Sequence, residues 1–291
     1  MNKDIFSGLE DLGFEDAEGL DLYNKKQEDP KKKEEKEKTE EDYLFNREVE
    51  CPVCGSKFKV KALKSSAYRI GKKYSDFYVS YNLVNPYFYD VWVCNECGYS
   101  ALKSDFEKIK YHQIDQVKEK ISSRWVSKDY PETYDVDIAI ERYKLALLNY
   151  WAINSKSSMK AMTCLKIAWM YRIKKDADNE KLFLTKAKEG FDDAYFNEDM
   201  PIYGMDKYTV MYLIGELNRR IGKSDEALSW FSKVITSAAA KQKIKEMCRD
   251  QKDLIRYDEK EEEKAQKEKE EEENQLHNNT KKGLFSKLFK K

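Results

Sequence analysis

Two copies of the pattern Cys-x-x-Cys-Gly constrain the fold of this chain more than any other feature. The first copy spans residues 51–55 and the second spans residues 94–98. In each copy a tight turn can aim both sulfur atoms at one point, and the glycine supplies the backbone freedom needed after the second cysteine. Two such turns at the ends of adjacent strands would bring four thiolates together as a tetrahedron, the arrangement that zinc favours. The pattern therefore predicts one zinc ion held by Cys51, Cys54, Cys94 and Cys97.

Four thiolates close the coordination shell of zinc, so we predict a structural ion and not a catalytic one. A small module is marginal on hydrophobic burial alone, whereas a structural zinc contributes about 10–16 kcal/mol of apparent binding free energy at neutral pH. Two alternatives use the same residues. A rubredoxin-like iron site would take the same four thiolates, and a redox dithiol would need only one Cys-x-x-Cys pair.

Composition limits the class of protein to which the chain could belong. Its 291 residues are enough for two modest domains, and its formal net charge of zero argues against a surface covered by nucleic acid. The chain has no apolar run of about 18 residues, and its first residues lack the apolar core of a secretory signal. Cysteines arranged in Cys-x-x-Cys pairs indicate metal or redox chemistry and not a disulfide framework. Such usage is typical of a reducing compartment, so we predict a cytoplasmic protein.

Shifts in composition divide the sequence into four predicted parts. Residues 1–47 combine an acidic motif with a charged linker that we expect to be disordered. Residues 48–106 are rich in aromatic side chains and contain both cysteine pairs, which predicts a small zinc-ribbon-like β module. Residues 107–257 have helical periodicity, and residues 258–291 form a charged tail with a basic amphipathic end.

Two segments beside the cysteine pairs are predicted strands. Residues 57–63 alternate polar and apolar side chains, and residues 87–93 have high β-propensity. Apolar residues from Ile114 to Trp125 predict a first helix. Residues 258–273, which are nearly all lysine and glutamate, either extend the last helix through ion pairs or are disordered. Further helices are predicted over residues 136–151, 157–174, 179–196, 204–221 and 224–255.

Residues 211–234 resemble a tetratricopeptide repeat, in which two antiparallel helices pack a small residue against a large one. The resemblance implies that Gly215 lets the helices approach closely and that Ala227 and Phe231 occupy the small and large packing positions. Gly222 would end the first helix in a left-handed cap, and Ser224 would cap the second. Such repeats form concave surfaces for peptides, and an ordinary helical bundle is the alternative.

The chain as a whole resembles a family of uncharacterised bacterial proteins. In that family a Cys-Pro-x-Cys pair precedes the signature Asn-Pro-x-x-Tyr-Asp-Val-Trp-Val-Cys-x-x-Cys-Gly-Tyr and a helical tail. Residues 85–99 match the signature, and the likeness covers about residues 48–250. The predicted fold class is therefore α+β and mostly α, with a four-cysteine zinc-ribbon β module, a tetratricopeptide-like helical domain and disordered charged termini.

The segment after the first cysteine pair offers an alternative function. Basic side chains interleaved with aromatic ones are typical of single-stranded nucleic-acid binding. The same pattern fits lysines on the solvent side of a strand whose aromatic residues fill a small core. The five basic residues are Lys57, Lys59, Lys61, Lys64 and Arg69.

The last eleven residues carry five lysines and no acid. Their apolar side chains would share one helical face, which suits weak peripheral contact with an anionic membrane or docking into a partner's groove. A solubilising tail is the other interpretation. The apolar residues are Leu284, Phe285, Leu288 and Phe289.

No constellation typical of an enzyme stands out. The chain has only two histidines, His112 and His277, and no glycine-rich loop that would bind phosphate through a lysine. Cys164 and Cys248 lie on apolar-periodic segments and are expected to pack. We predict a cytoplasmic zinc-binding scaffold or adaptor, not an enzyme, whose helical domain binds a protein or peptide. A nucleic-acid-binding accessory protein is the alternative, and rubredoxin-like iron electron transfer comes third.

Overall fold

The fold consists of small β-hairpins followed by helices. A computed structural model describes residues 39–288, with side chains described through residue 269. The strands form three antiparallel pairs, which are β1 (Leu44–Glu50) with β2 (Lys57–Leu63), β3 (Ile70–Lys73) with β4 (Val79–Tyr81), and β5 (Val91–Val93) with β6 (Ser100–Leu102).

Helices make up most of the described chain, so the prediction of a mostly α, α+β fold is confirmed. The strand predicted over residues 57–63 is β2. The helices are α1 (Tyr111–Lys120), α2 (Val136–Ala152), α3 (Ser157–Lys174), α4 (Ala177–Asn197), α5 (Lys207–Arg220), α6 (Ser224–Thr236) and α7 (Gln242–Leu288).

Aspartate side chains define where three of these helices begin. Asp135, Asp176 and Asp206 each accept a hydrogen bond from a backbone N–H in the first turn of α2, α4 and α5, respectively. Each cap satisfies a donor that the helix itself leaves unpaired. At the other end of α3, Lys175 adopts a left-handed conformation and turns the chain towards α4.

Helices α2 to α7 pack against one another in chain order. Between α5 and α6 the approach depends on Gly215, because a Cβ atom there would lie 2.6 Å from Cε1 of Phe231. Gly222 ends α5 with a φ of +85°, as predicted. Ser224 was expected to cap α6, but it is the first residue of that helix, and the preceding Lys223 makes no side-chain cap bond.

The strand predicted over residues 87–93 is wrong in its first half. Residues Pro86–Tyr89 form a 3-10 helix, and β5 begins only at Val91. The side chain of Asn85 accepts a hydrogen bond from the N–H of Tyr87, and Pro86 is preset for a turn. The Asn-Pro pair therefore overrides the β-propensity of the aromatic residues that follow it.

Two helix predictions also differ from the structure. The helix expected from Ile114 to Trp125 ends at Lys120, and Ser122–Arg124 form a 3-10 turn. The helix expected over residues 224–255 is broken between α6 and α7. The break lets α7 fold back, so that its Cys248 shares an apolar cluster with Tyr212 of α5.

One hydrophobic core runs from the β-hairpins into the helices. It includes Val49 of β1, Trp92 of β5, Tyr150 of α2 and Leu217 of α5. The predicted domain boundary at residue 48 falls within β1. The boundaries at 48, 107 and 258 stay predictions.

Parts of the two predicted terminal segments lie outside the residues that the structure describes. Within residues 39–288, none of the helices is both long and apolar enough to cross a membrane. The acidic motif near the N-terminus precedes the described residues. Helix α7 is assigned through Leu288, but the side chains of Leu284, Phe285 and Leu288 are outside the described set, and Phe289 lies beyond the described residues.

Candidate metal centre

The two cysteine pairs fold into the same turn. We call residues 51–55 knuckle 1 and residues 94–98 knuckle 2; they connect β1 to β2 and β5 to β6. The N–H of Gly55 donates to the carbonyl oxygen of Cys51 at 2.8 Å, and Gly98 donates to Cys94 at the same distance. Both glycines have positive φ, +74° and +72°. The turn needs a residue in the left-handed conformation at this position, and glycine adopts that conformation without strain.

The knuckles bring the four predicted cysteines to one place. Cys51 Sγ lies 3.6 Å from Cys97 Sγ, and Cys54 Sγ lies 3.6 Å from Cys94 Sγ. All four sulfur atoms lie within 4.8 Å of one another. Cys51, Cys94 and Cys97 are buried, whereas Cys54 is exposed.

These distances fit a tetrahedral metal ion. A metal–sulfur bond of about 2.3 Å in tetrahedral geometry implies sulfur–sulfur distances of about 3.8 Å. The two distances of 3.6 Å match that spacing closely. Four cysteines in this arrangement could therefore hold a metal ion.

The electrostatics of the cluster favour a cation. Hydrogen bonding with Cys94 raises the pKa of Cys51 to about 12. Hydrogen bonds with Cys51 and Cys94 also raise the pKa of Cys97, whereas those from Cys51 and Cys97 lower the pKa of Cys94. One thiolate can thus be stabilised by its neighbours, but several together need a positive charge between them, which a divalent metal would supply.

Ser56 is a polar neighbour of the sulfur atoms that the sequence analysis missed. Its hydroxyl lies 3.0 Å from Cys54 Sγ and 3.3 Å from Cys94 Sγ, so it contacts one cysteine of each knuckle. Hydrogen bonds to ligating atoms orient them and tune the metal. The position of Ser56 directly after the first Cys-x-x-Cys-Gly is the feature of the sequence that could have identified it as a neighbour of the cluster.

Knuckle 2 is fixed to the helical part of the chain. Trp125 Nε1 donates to the carbonyl of Asn95 at 2.7 Å, and Ser122 Oγ donates to that of Cys97 at 2.8 Å. The ring of Trp125 packs on Gly98 so closely that a Cβ there would lie 2.6 Å from its Cδ2 atom. Asn149 of α2 donates to the carbonyl of Gly98. A metal in the cluster would therefore link the β1–β2 hairpin to a firmly anchored turn.

Acidic residues lie close to several of the basic residues proposed to bind nucleic acid. Lys57 and Lys59 are exposed on β2, directly opposite Glu50 and Glu48 of β1. Lys61 forms an ion pair with Glu132.

The two remaining basic residues lie in the loop after β2. The Lys64 ammonium donates to the backbone carbonyl of Asp42 at 2.7 Å, and Arg69 is exposed. Acidic residues therefore lie opposite or beside three of the five cations, Lys57, Lys59 and Lys61.

Among the described side chains, Cys164, Cys248 and His112 are not part of the group of possible metal ligands. Cys164 and Cys248 are buried in the apolar clusters, and burial raises the pKa of each to about 12. A thiol with so high a pKa is a poor nucleophile at neutral pH. His112 is exposed on α1.

Comparisons with known proteins identify the family. Searches of curated proteins and of solved structures found no match to the chain. A family model described as "Uncharacterized protein conserved in bacteria (DUF2225)" matches residues 44–255, which is most of the chain and includes both knuckles and helices α1 to α6. The chain therefore belongs to this uncharacterized family conserved in bacteria.

Proposed function

We propose that the protein is a cytoplasmic scaffold or adaptor in which a structural zinc ion braces a helical domain that binds a protein or peptide partner. The observation that carries the proposal is the continuous core between the metal module and the helices. Binding of zinc at the knuckles would then stabilise the surface that the helices present, without taking part in a reaction.

Zinc is the metal that we assign to the four cysteines. Thiolate ligands in a tetrahedron suit zinc or iron, and four of them leave no open position for a substrate. Six free cysteines, none of them in a disulfide, fit a reducing compartment such as the cytoplasm. A rubredoxin-like iron site would use the same ligands, so metal analysis separates the two.

The helical domain has the local features of tetratricopeptide-like pairs. Gly215 packs against Phe231 between α5 and α6, and Gly190 packs against Ala161 between α4 and α3, where an added Cβ atom would lie 2.9 Å from Cβ of Ala161. In both pairs a small residue on one helix permits close contact with the next. We therefore regard α3–α4 and α5–α6 as repeat-like units that present a binding surface.

An apolar groove on the helices is the best candidate for partner contact. Its volume is about 420 Å3, and its lining includes Leu147, Trp151, Ala161 and Phe183. Trp151 is 64% exposed and the nearby Leu148 is 48% exposed. Large exposed apolar side chains that lie together mark interaction sites, so we propose a partner segment that inserts apolar side chains here.

A comparison of surface variants tests the scaffold role. The variant Leu148→Glu/Trp151→Glu would place charges beside the groove, and Leu254→Glu is the control because Leu254 is 40% exposed on α7. Each full-length protein is crosslinked in bacterial cells and recovered. We expect one crosslinked partner to be retained by the wild type and the control and lost from the double variant.

An identical set of crosslinked proteins for all three chains would contradict partner binding at this groove. Absence of any specific crosslink to the wild type would contradict the scaffold role itself. Circular dichroism of each variant shows whether the helices are retained, so that loss of a partner is not mistaken for loss of the fold.

A further inference from the structure

A second site lies apart from the four cysteines. A cleft of about 650 Å3 opens where the loop after β6, helix α1, the α2–α3 turn and the α4–α5 loop meet, and no cysteine lines it. This volume is in the range of small-molecule sites in proteins. Its apolar lining includes Ile109, Ile153, Met159 and Ile202.

The floor of the cleft is built around the buried carboxylate of Asp105. Tyr203 donates its hydroxyl to Asp105 Oδ2 at 2.5 Å, and Tyr150 donates to the same oxygen at 3.2 Å. The hydroxyl of Tyr150 in turn accepts the N–H of Leu102 at 2.9 Å. These bonds fix three separate segments of the chain around one side chain, so the cleft has a rigid base.

The mouth of the cleft carries positive charge that no carboxylate within residues 39–269 pairs. Lys110 and Lys156 line the cleft and are exposed, and neither has a carboxylate within 4.0 Å in the described part of the chain. Lys108, also at the mouth, lies 3.4 Å from Asp105. Two ammonium groups are therefore free to bind an anion.

Two of the three acidic residues of the lining have hydrogen-bond or ion-pair partners within the cleft other than Lys110 and Lys156. Asp105 is held by the two tyrosines and Lys108, as described above. Glu198 accepts hydrogen bonds from the N–H and the hydroxyl of Ser158, at 2.9 and 2.6 Å. Asp199 is exposed at the rim. The carboxylates thus leave Lys110 and Lys156 available.

The walls of the cleft contain unusual backbone. Four residues other than glycine have positive φ between residues 39 and 288, and two of them, Asn154 and Tyr203, line this cleft with values of +46° and +47°. Such conformations persist only where the surroundings impose them, and they concentrate at ligand-binding sites. Tyr203 adopts its conformation while donating to Asp105.

We propose that this cleft binds a phosphate monoester with a ring-sized apolar body. The phosphate, close to a dianion at neutral pH, matches the two unpaired ammonium groups of Lys110 and Lys156. The apolar body fits between the side chains of Ile109, Met159 and Tyr203. The site is separate from the scaffold role and from the metal, so each can fail without the other.

Phenyl phosphate is the smallest probe with both parts. It is titrated into the full-length, 15N-labelled protein, and backbone amide signals are followed. We expect saturable shifts at Asn154, Ser155 and Gly204 with a Kd of about 1 mM or tighter, the affinity that a ligand of this size allows. Phenol and inorganic phosphate, which each lack one part, should bind about tenfold more weakly.

Variants of Lys110 and Lys156 test whether these two lysines bind the phosphate. Lys110→Ala/Lys156→Ala should weaken phenyl phosphate about tenfold, whereas Lys243→Ala, a change at an exposed lysine of α7, should leave its Kd unchanged. Both lysines at the mouth are exposed, so the amide spectrum of the double variant should otherwise match that of the wild type.

Three results would overturn the assignment. They are no saturable shift at the cleft amides, an unchanged Kd in the double variant, and equal binding of benzoate, which carries a single charge. If the double variant lost its folded spectrum, the single charge reversals Lys110→Glu and Lys156→Glu would decide, since each should weaken binding by itself.

Discussion

The carboxylate of Asp76 accepts two hydrogen bonds from the guanidinium of Arg172, at 2.6 Å from Nη2 to Oδ2 and 3.3 Å from Nη1 to Oδ1. Asp76 lies in the turn between β3 and β4, and Arg172 lies on α3. The indole N–H of Trp169 donates to the same carboxylate at 3.0 Å, and Arg220 of α5 lies 3.7 Å from it. The turn is thus fixed to two helices through one fully buried side chain.

A second buried carboxylate extends this network. Glu216 of α5 accepts hydrogen bonds from Arg219, Arg220 and the hydroxyl of Ser75. Every charge at the centre of the network therefore has an opposite partner. Removing one partner of a buried ion pair destabilises a protein because the remaining charge is left without compensation. This loss is much larger than the stability that the intact pair adds relative to apolar residues in its place.

We predict that Asp76→Asn lowers the free energy of unfolding by about 3 kcal/mol, because Arg172 would lose its hydrogen bonds to a charged carboxylate and keep only Glu180 as a negative partner, while Arg220 would keep only Glu216. Asp250→Asn is the matched control, since Asp250 is exposed on α7, and it should change stability by less than about 0.5 kcal/mol. Urea unfolding followed by circular dichroism measures both. Equal stability of the two variants would show that the network does not hold the turn.

The burial and charge environment of Asp76 also predicts how stability depends on pH. Burial raises the pKa of Asp76, but the hydrogen bond from Arg172 and the charges of Arg220 and Arg172 outweigh it, so the pKa lies below its usual value. The stability from this carboxylate is therefore complete above its unfolded pKa of about 3.9 and is lost as pH falls through the lower pKa of the folded state.

The stability difference between wild type and Asp76→Asn should therefore stay constant from about pH 7 to about pH 5 and narrow below about pH 3.9. Taking the difference between the two proteins removes the acid sensitivity that they share, including that of the cysteine cluster. A difference that shrank between neutral pH and pH 5 would mean that another group controls the effect.

Close packing of α5 on α6 leads to a further prediction. Gly215→Ala places a methyl group against the ring of Phe231, so we expect a loss of about 1–3 kcal/mol despite the higher helix propensity of alanine. The double variant Gly215→Ala/Phe231→Leu should recover part of that loss. Strict additivity of the two changes in a double-mutant cycle would contradict a direct contact.

The balance of charge on the β1–β2 hairpin predicts weak contact with nucleic acid. Because Glu48 and Glu50 lie opposite Lys59 and Lys57, the local positive potential is reduced. We expect no shift of labelled single-stranded RNA near physiological salt. A shift that weakens with salt and disappears in the triple charge reversal Lys57→Glu/Lys59→Glu/Lys61→Glu would favour the alternative function.

Features set by short-range spacing could be predicted from the sequence. The cysteine pairs, β2 and the boundaries of α3 follow from local patterns, as does the glycine cap at Gly222. The prediction of a strand over residues 87–93 is wrong in its first half, because β-propensity reflects the type of side chain, whereas the hydrogen bond from the N–H of Tyr87 to Asn85 holds the backbone in a 3-10 turn there.

Long-range contacts could not be predicted in this way. Asp76 and Arg172 are 96 residues apart, and Trp125 reaches the carbonyl of Asn95 across 30 residues. Neither pair has a local pattern that distinguishes it from the many other charged and aromatic residues of the chain. The cleft around Asp105 likewise combines four segments that only the folded chain brings together.

Metal content tests the central claim most directly. Full-length protein, purified under reducing conditions without added metal, is analysed by elemental mass spectrometry beside the variant Cys51→Ser/Cys94→Ser. We predict about one zinc per wild-type chain and much less in the variant, since four thiolates form one tetrahedral site. A wild-type chain that carried iron, or that carried no metal at all, would contradict the assignment of a structural zinc ion.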